Sequence, residues 1–223
     1  MASGTMPATE GHTLVFGLTA DPIHRGHEQV IHNSFAFAQS QGLPIQRFLM
    51  VPTYQPNLIA GKQLPRTAFN HRLAMCELVA KAMRKQFKYP VYITDTEKKL
   101  FIKNGQKSYS IDTLAAIDAP AKLFVLSADH FAGRWPKFRK WHRWQELVQT
   151  NGLLIHQRPG HGLNATFIQQ LQAINPHVYV VKDLPAIDVS STQIRHTGPA
   201  MAWQQAWISE PVHQYILTHK LYP

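Results

Sequence analysis

Residues 13–31 read TLVFGLTADPIHRGHEQVI, and the fold turns on how that stretch is divided. Thr13–Leu18 is a short, nearly unbroken apolar run, the pattern of a strand buried on both faces. From Gly26 the spacing changes. GHEQVIHNSFAFAQSQG has the mixed apolar and polar character of an amphipathic helix and stops at Gly42, a residue suited to a helix C-terminus. Thr19–Gly26 is therefore the connection. Pro22 stiffens it, and Gly26 lets backbone approach closely. The stretch thus predicts a strand feeding a helix through a short turn that carries two histidines, His24 and His27.

The same alternation recurs downstream. QRFLMVP (46–52) reads as a second strand, and residues 53–65 as a long loop punctuated by Pro and Gly. Phe69, Leu73, Cys76, Ala80, Met83 and Phe87 form one apolar helical face. YPVYITD, KLFVLSAD, GLLIHQRPG and HVYVVKD read as further strands. SIDTLAAI, WHRWQELVQT, SSTQIRHTG and PVHQYILTHKLYP read as helices. This predicts an α/β fold: a doubly wound, Rossmann-like parallel sheet with helices on both faces. Ligands of such sheets bind beyond the carboxyl ends of the strands, so functional residues are expected there. The expected division is a flexible tail over 1–12 and one domain over 13–223.

Composition narrows the class. One cysteine, Cys76, excludes an intrachain disulfide framework and fits a reducing compartment. The N-terminus lacks a signal-like apolar stretch, and no run reaches the ~20 apolar residues of a membrane span. A cytoplasmic protein without membrane association is expected, with a homo-oligomer left open. The net charge of +10 favours a polyanionic partner. The basic residues are dispersed rather than gathered into an arm, so nucleic acid is not the expected partner.

His24 and His27 flank a predicted helix start, where free N–H groups and the helix dipole attract phosphate. Imidazoles there can donate to a polyphosphate and to charge developing at phosphorus. A His-x-x-His pair can also ligate zinc, but no third ligand follows at a recognisable spacing, so no protein-held metal is expected. A second anion-binding turn is predicted at DVSSTQIR (188–195). There Ser190, Ser191 and Thr192 begin a helix, and Arg195 falls one turn later on the same side.

GLTADPIHRGH and VSSTQIR resemble the two signatures of the nucleotidyltransferases. Between them lie HRLAMCELV, SYSIDTL, LSADHF, KWHRWQELV and QRPG, with YILTHKLY at the end, in an order similar to that of the nicotinate-nucleotide adenylyltransferases. The resemblance implies transfer of the adenylyl group of ATP to nicotinate mononucleotide, with Mg²⁺ carried by ATP. It implies that His24, His27 and Arg195 are catalytic. Thr19, Asp129, Ser190, Ser191 and Thr192 would join them in holding ATP, Asp129 at the ribose. Trp141 would stack on the nicotinate ring, and Ser108 and Tyr109 would shape that pocket. Leu18 and Ala20 depart from the family's glycine and phenylalanine, and Lys62 stands in for its phosphate-binding cation. Residues 131–140 form a basic insertion. Other acceptors, nicotinamide mononucleotide or pantetheine phosphate, keep the same chemistry. A non-catalytic nucleic-acid binder and a nucleotide sensor without turnover are the readings of a different class.

Overall fold

β1 (His12–Leu18) alternates its side chains between two cores. Leu14, Phe16 and Leu18 enter one cluster, while Val15 enters the other. β2 (Ile45–Pro52) does the same with Phe48 and Met50 against Leu49 and Val51. β4 (Lys122–Ser127) divides Leu123 and Val125 from Phe124 and Leu126. A strand apolar at every position can satisfy that pattern only inside a sheet covered on both sides.

The computed structural model describes residues 11–56, 64–157 and 162–222. Six parallel strands are ordered β3-β2-β1-β4-β5-β6, with β3 at Val91–Ile93, β5 at Gly152–His156 and β6 at Val178–Val181. Around α1 (Arg25–Ser40), α2 (Phe69–Gln86) and α9 (Glu210–Thr218) lies the first core. α4 (Ser110–Ala115), α5 (Trp144–Thr150) and α6 (Ala165–Ile174) enclose the second. The remaining helices are α3 (Thr96–Asn104), α7 (Ser191–Thr197) and α8 (Pro199–Gln204). No helix among the described residues is long and apolar enough to cross a membrane.

Several boundaries move. β1 starts at His12, inside the expected tail, and residues 1–10 lie outside the described residues. So do Lys62 and the RPG segment. The third strand spans only Val91–Ile93, because it pairs with β2 alone at the sheet edge. The buried face of α2 includes Arg72 (1% exposed), Met75, Cys76, Val79 and Met83, and Leu73 is only half-buried. α3 was not expected: it buries no residue fully, so it presents no apolar stripe. The helix expected over 141–150 is also shorter. Trp141 ends a 3₁₀ turn, Lys137–Lys140, with an extended backbone, and α5 begins at Trp144. The two tryptophans therefore do not share a helix.

Candidate functional site

The strand order places β1 beside β4, where the sheet changes direction of winding and a crevice opens beyond the strand ends. A cavity of about 520 Å³ lies there, within the range of small-ligand sites. Thr19, His24, His27, Ser190, Ser191, Thr192 and Arg195 all line it. The two motifs, more than 160 residues apart by the Ser191–Pro22 separation of 169, thus face one space.

His24 is the N-cap of α1 in an extended conformation. Its backbone N–H donates to His27 Nδ1 at 3.2 Å, and the two rings stack with centroids 3.8 Å apart. With Nδ1 accepting, a neutral His27 carries its proton on Nε2, where it serves as a donor. Gly26 makes this stack fit. A Cβ there would meet His24 Nδ1 at 3.0 Å and the Ile187 carbonyl at 3.1 Å.

The second motif is docked onto this turn. The Ser191 hydroxyl donates to the Pro22 carbonyl at 2.9 Å. Ser190 caps α7 by accepting from the Gln193 amide at 3.1 Å. Arg195 donates from Nη1 to the Asp21 carbonyl at 2.6 Å and from Nη2 to Thr192 Oγ1 at 3.1 Å. Its Nε is buried without a hydrogen-bond partner among the described residues.

Underneath, Arg72 ties the loops together. Its Nη1 donates to the carbonyls of Thr19 (2.7 Å) and Thr53 (2.8 Å), its Nε to Thr67 (3.2 Å) and its Nη2 to Tyr54 (3.4 Å). Glu97 accepts from the Tyr54 amide at 2.9 Å. Burial pushes its carboxyl up to about 7, against the opposing effects of that amide and of Arg72. Leu18 turns into the first core, and Ala20 adopts the left-handed conformation, φ +51°, buried to 1% exposure.

The remaining expected residues lie beside the cavity. Asp129, in the 3₁₀ turn Ala128–His130, accepts from the Ser127 hydroxyl and is 3.9 Å from His130 Nε2. Trp141 packs edge-on against His130, 5.1 Å between centroids, and its buried Nε1 has no hydrogen-bond partner among the described residues. Tyr109 is the N-cap of α4, with its ring stacked on His142 at 4.2 Å. Ser108 accepts from Thr113 at 3.3 Å. These four do not line the cavity described above, but His130 lines it and touches Trp141, joining the two regions.

Sequence reasoning missed Ser127, His130 and His156, which line the cavity at or just beyond the carboxyl ends of β4 and β5. Ser127 and His156 are polar residues closing apolar strands, a signal the strand-end rule contains, and His130 ends the 3₁₀ turn that follows β4. His156 Nε2 lies 3.0 Å from Ser34 Oγ, whose own hydrogen goes to the Val30 carbonyl. Burial lowers the His156 pKa to about 4, so the ring is neutral.

A switch-point crevice with paired imidazoles at one helix start and a Ser-Ser-Thr/Arg turn opposite defines a nucleotidyltransferase-type α/β protein. Residues 15–197 match the Cytidylyltransferase-like family, and the chain belongs to that family. It is 29% identical over 203 residues to a probable nicotinate-nucleotide adenylyltransferase of Yersinia enterocolitica, covering 82% of each chain. It is likewise 29% identical to one of Symbiobacterium thermophilum, covering 93% of each. Among solved structures, the Plasmodium falciparum nicotinic acid mononucleotide adenylyltransferase complexed with NaAD is similar in fold. Its TM-score is 0.71 at 19% identity, over 95% of this chain and 97% of that one.

Proposed function

We propose that this protein transfers the adenylyl group of ATP to nicotinate mononucleotide, releasing pyrophosphate and forming deamido-NAD for NAD synthesis. One observation carries the reading: His24 and His27 at the start of α1 face Ser190–Arg195 across a single crevice at the switch point. A phosphate oxygen of the mononucleotide attacks the α-phosphorus of ATP. The bond from that phosphorus to the bridging oxygen breaks, and pyrophosphate leaves with the electron pair. No covalent enzyme intermediate is needed, so the protein's task is positioning and charge neutralisation.

In this reading His27 Nε2–H and His24 donate to phosphate oxygens whose charge grows in the transition state. The backbone of Thr19 faces the reacting phosphates. Ser190, Ser191, Thr192 and Arg195 hold the β- and γ-phosphates, and Asp129 meets the ribose. Trp141 supplies the face for the nicotinate ring, with Ser108 and Tyr109 at the rim. Magnesium enters on the ATP phosphates as part of the substrate. The site offers imidazole donors and the Arg195 guanidinium, and the described residues gather no cluster of three metal-ligating side chains. We read residues 13–223 as one catalytic domain acting in the cytoplasm.

The test is pyrophosphate release with ATP and a panel of acceptors. Nicotinate mononucleotide is expected to be used best. Equal or faster release with nicotinamide mononucleotide would overturn the acceptor assignment, and no release with any mononucleotide would overturn the reaction.

A further inference from the structure

The Asp21 carboxylate is 1% exposed and lies beside Arg195, yet the two do not close into a hydrogen-bonded ion pair. Arg195 Nη1 is 3.8 Å from Asp21 Oδ2, beyond hydrogen-bond reach. Both carboxylate oxygens are held by other donors. The Arg66 amide donates to Oδ2 at 2.8 Å, and the Tyr222 hydroxyl donates to Oδ1 at 2.7 Å. Tyr222 in turn has a side-chain hydrogen bond with Thr67, whose carbonyl is one of those held by Arg72. Burial raises the pKa of the Tyr222 phenol far above its ordinary value, so it remains a donor at any physiological pH.

A buried carboxylate with an oxygen that accepts no hydrogen bond draws in the nearest cation. Here that cation is Arg195, whose guanidinium lines the cavity with a side chain only 10% exposed. We propose that Tyr222 is a positioning residue: by occupying Asp21 Oδ1 it keeps the carboxylate from capturing Arg195, whose charge stays available to a ligand polyphosphate. The inference rests on reading the crevice as a polyphosphate site. It does not depend on which acceptor is used. Removing the hydroxyl leaves Oδ1 unpaired. The carboxylate then swings to Arg195, and the guanidinium turns away from the cavity.

Tyr222→Phe tests this, with inorganic tripolyphosphate as the probe and titration calorimetry on the whole chain as the measurement. The variant is expected to bind tripolyphosphate about tenfold more weakly, the equivalent of one charge-assisted contact. The double variant Asp21→Asn/Tyr222→Phe carries a neutral amide without the charge that draws Arg195 in, and it is expected to recover most of that affinity. A purely structural role for Tyr222 predicts no recovery, because the second change only removes another contact. Unchanged affinity in Tyr222→Phe, a double variant no tighter than the single one, or a wild-type protein that fails to bind tripolyphosphate would each overturn the proposal. Weakened binding with recovery, in a protein that releases no pyrophosphate with any mononucleotide, would support it while striking the proposed reaction alone.

Discussion

The His24 backbone amide donates to His27 Nδ1 at 3.2 Å while the two imidazoles stack at 3.8 Å. The first contact sets the proton of neutral His27 on Nε2, and the second fixes the plane in which it donates. His27→Ala removes a donor aimed at charge that grows during the reaction. Turnover is expected to fall about 10²–10³-fold, while ATP affinity changes less than ~threefold. Single-turnover kinetics alongside calorimetric ATP binding measures both. A loss of affinity with turnover intact would remove His27 from its role.

Gly26→Ala separates function from stability. Alanine favours a helix over glycine by about 1 kcal/mol. Its Cβ would come within 3.0 Å of His24 Nδ1 and 3.1 Å of the Ile187 carbonyl, so the imidazole must shift. Turnover is expected to fall about tenfold, the cost of misplacing one donor by a fraction of its contact distance. The thermal midpoint is expected to hold or rise. Thermal melts run beside a steady-state assay decide the matter, and turnover that tracks stability would refute the packing argument.

The sequence made β1, β2 and β4 legible because each is apolar on both faces, and only a covered parallel sheet accommodates that. The paired motifs were legible because their side chains cluster within eleven and seven residues. α3 was not, since it packs without burying any residue fully. His156 carried a readable signal, a polar residue closing an apolar strand. Arg72 and Tyr222 fall inside HRLAMCELV and YILTHKLY, but nothing in those segments names their partners. Arg72 reaches carbonyls 53 and 19 residues away, and Tyr222 reaches a carboxylate 201 residues away. Such partners are set by how the loops converge, which no local spacing encodes.

Arg72→Met is expected to be among the most destabilising single changes in the molecule. Methionine fills much of the volume but leaves the carbonyls of Thr19, Thr53, Thr67 and Tyr54 without their shared donor. Unsatisfied buried acceptors cost about 1–3 kcal/mol each, less where water enters, so a loss of about 3–5 kcal/mol is expected. Urea denaturation reads it as a lower midpoint. A midpoint within error of wild type would show that the loops hold their shape without Arg72.

His156 makes stability depend on acid. Its folded pKa of about 4 lies below the unfolded 6.5 because burial disfavours the charged ring. Above pH 6.5 the ring is neutral in both states and folding loses nothing. Between pH 6.5 and 4 the unfolded chain binds the proton first, so stability falls as pH falls, by about 3 kcal/mol in all. His156→Gln keeps a donor for Ser34 and removes the titration. Its thermal midpoint relative to wild type is expected to rise steadily from pH 7 to pH 4.5. A constant difference across that range would mean that His156 does not titrate on unfolding.

Glu97 has the opposite sign. Burial raises its carboxyl to about 7 from an unfolded 4.5, although the Tyr54 amide and Arg72 favour the charged form. A raised folded pKa stabilises below pH 4.5, and that contribution is lost as pH rises through 7. Because the side chain is partly exposed, the loss is about 1–2 kcal/mol. Glu97→Gln retains an oxygen for the Tyr54 amide and never ionises. The variant is expected to match wild type at pH 4.5 and to exceed it in thermal midpoint at pH 8. Equal midpoints at pH 8, or a variant weaker there than wild type, would mean that the charged carboxylate is stabilised where it lies, with Arg72 outweighing the cost of burial.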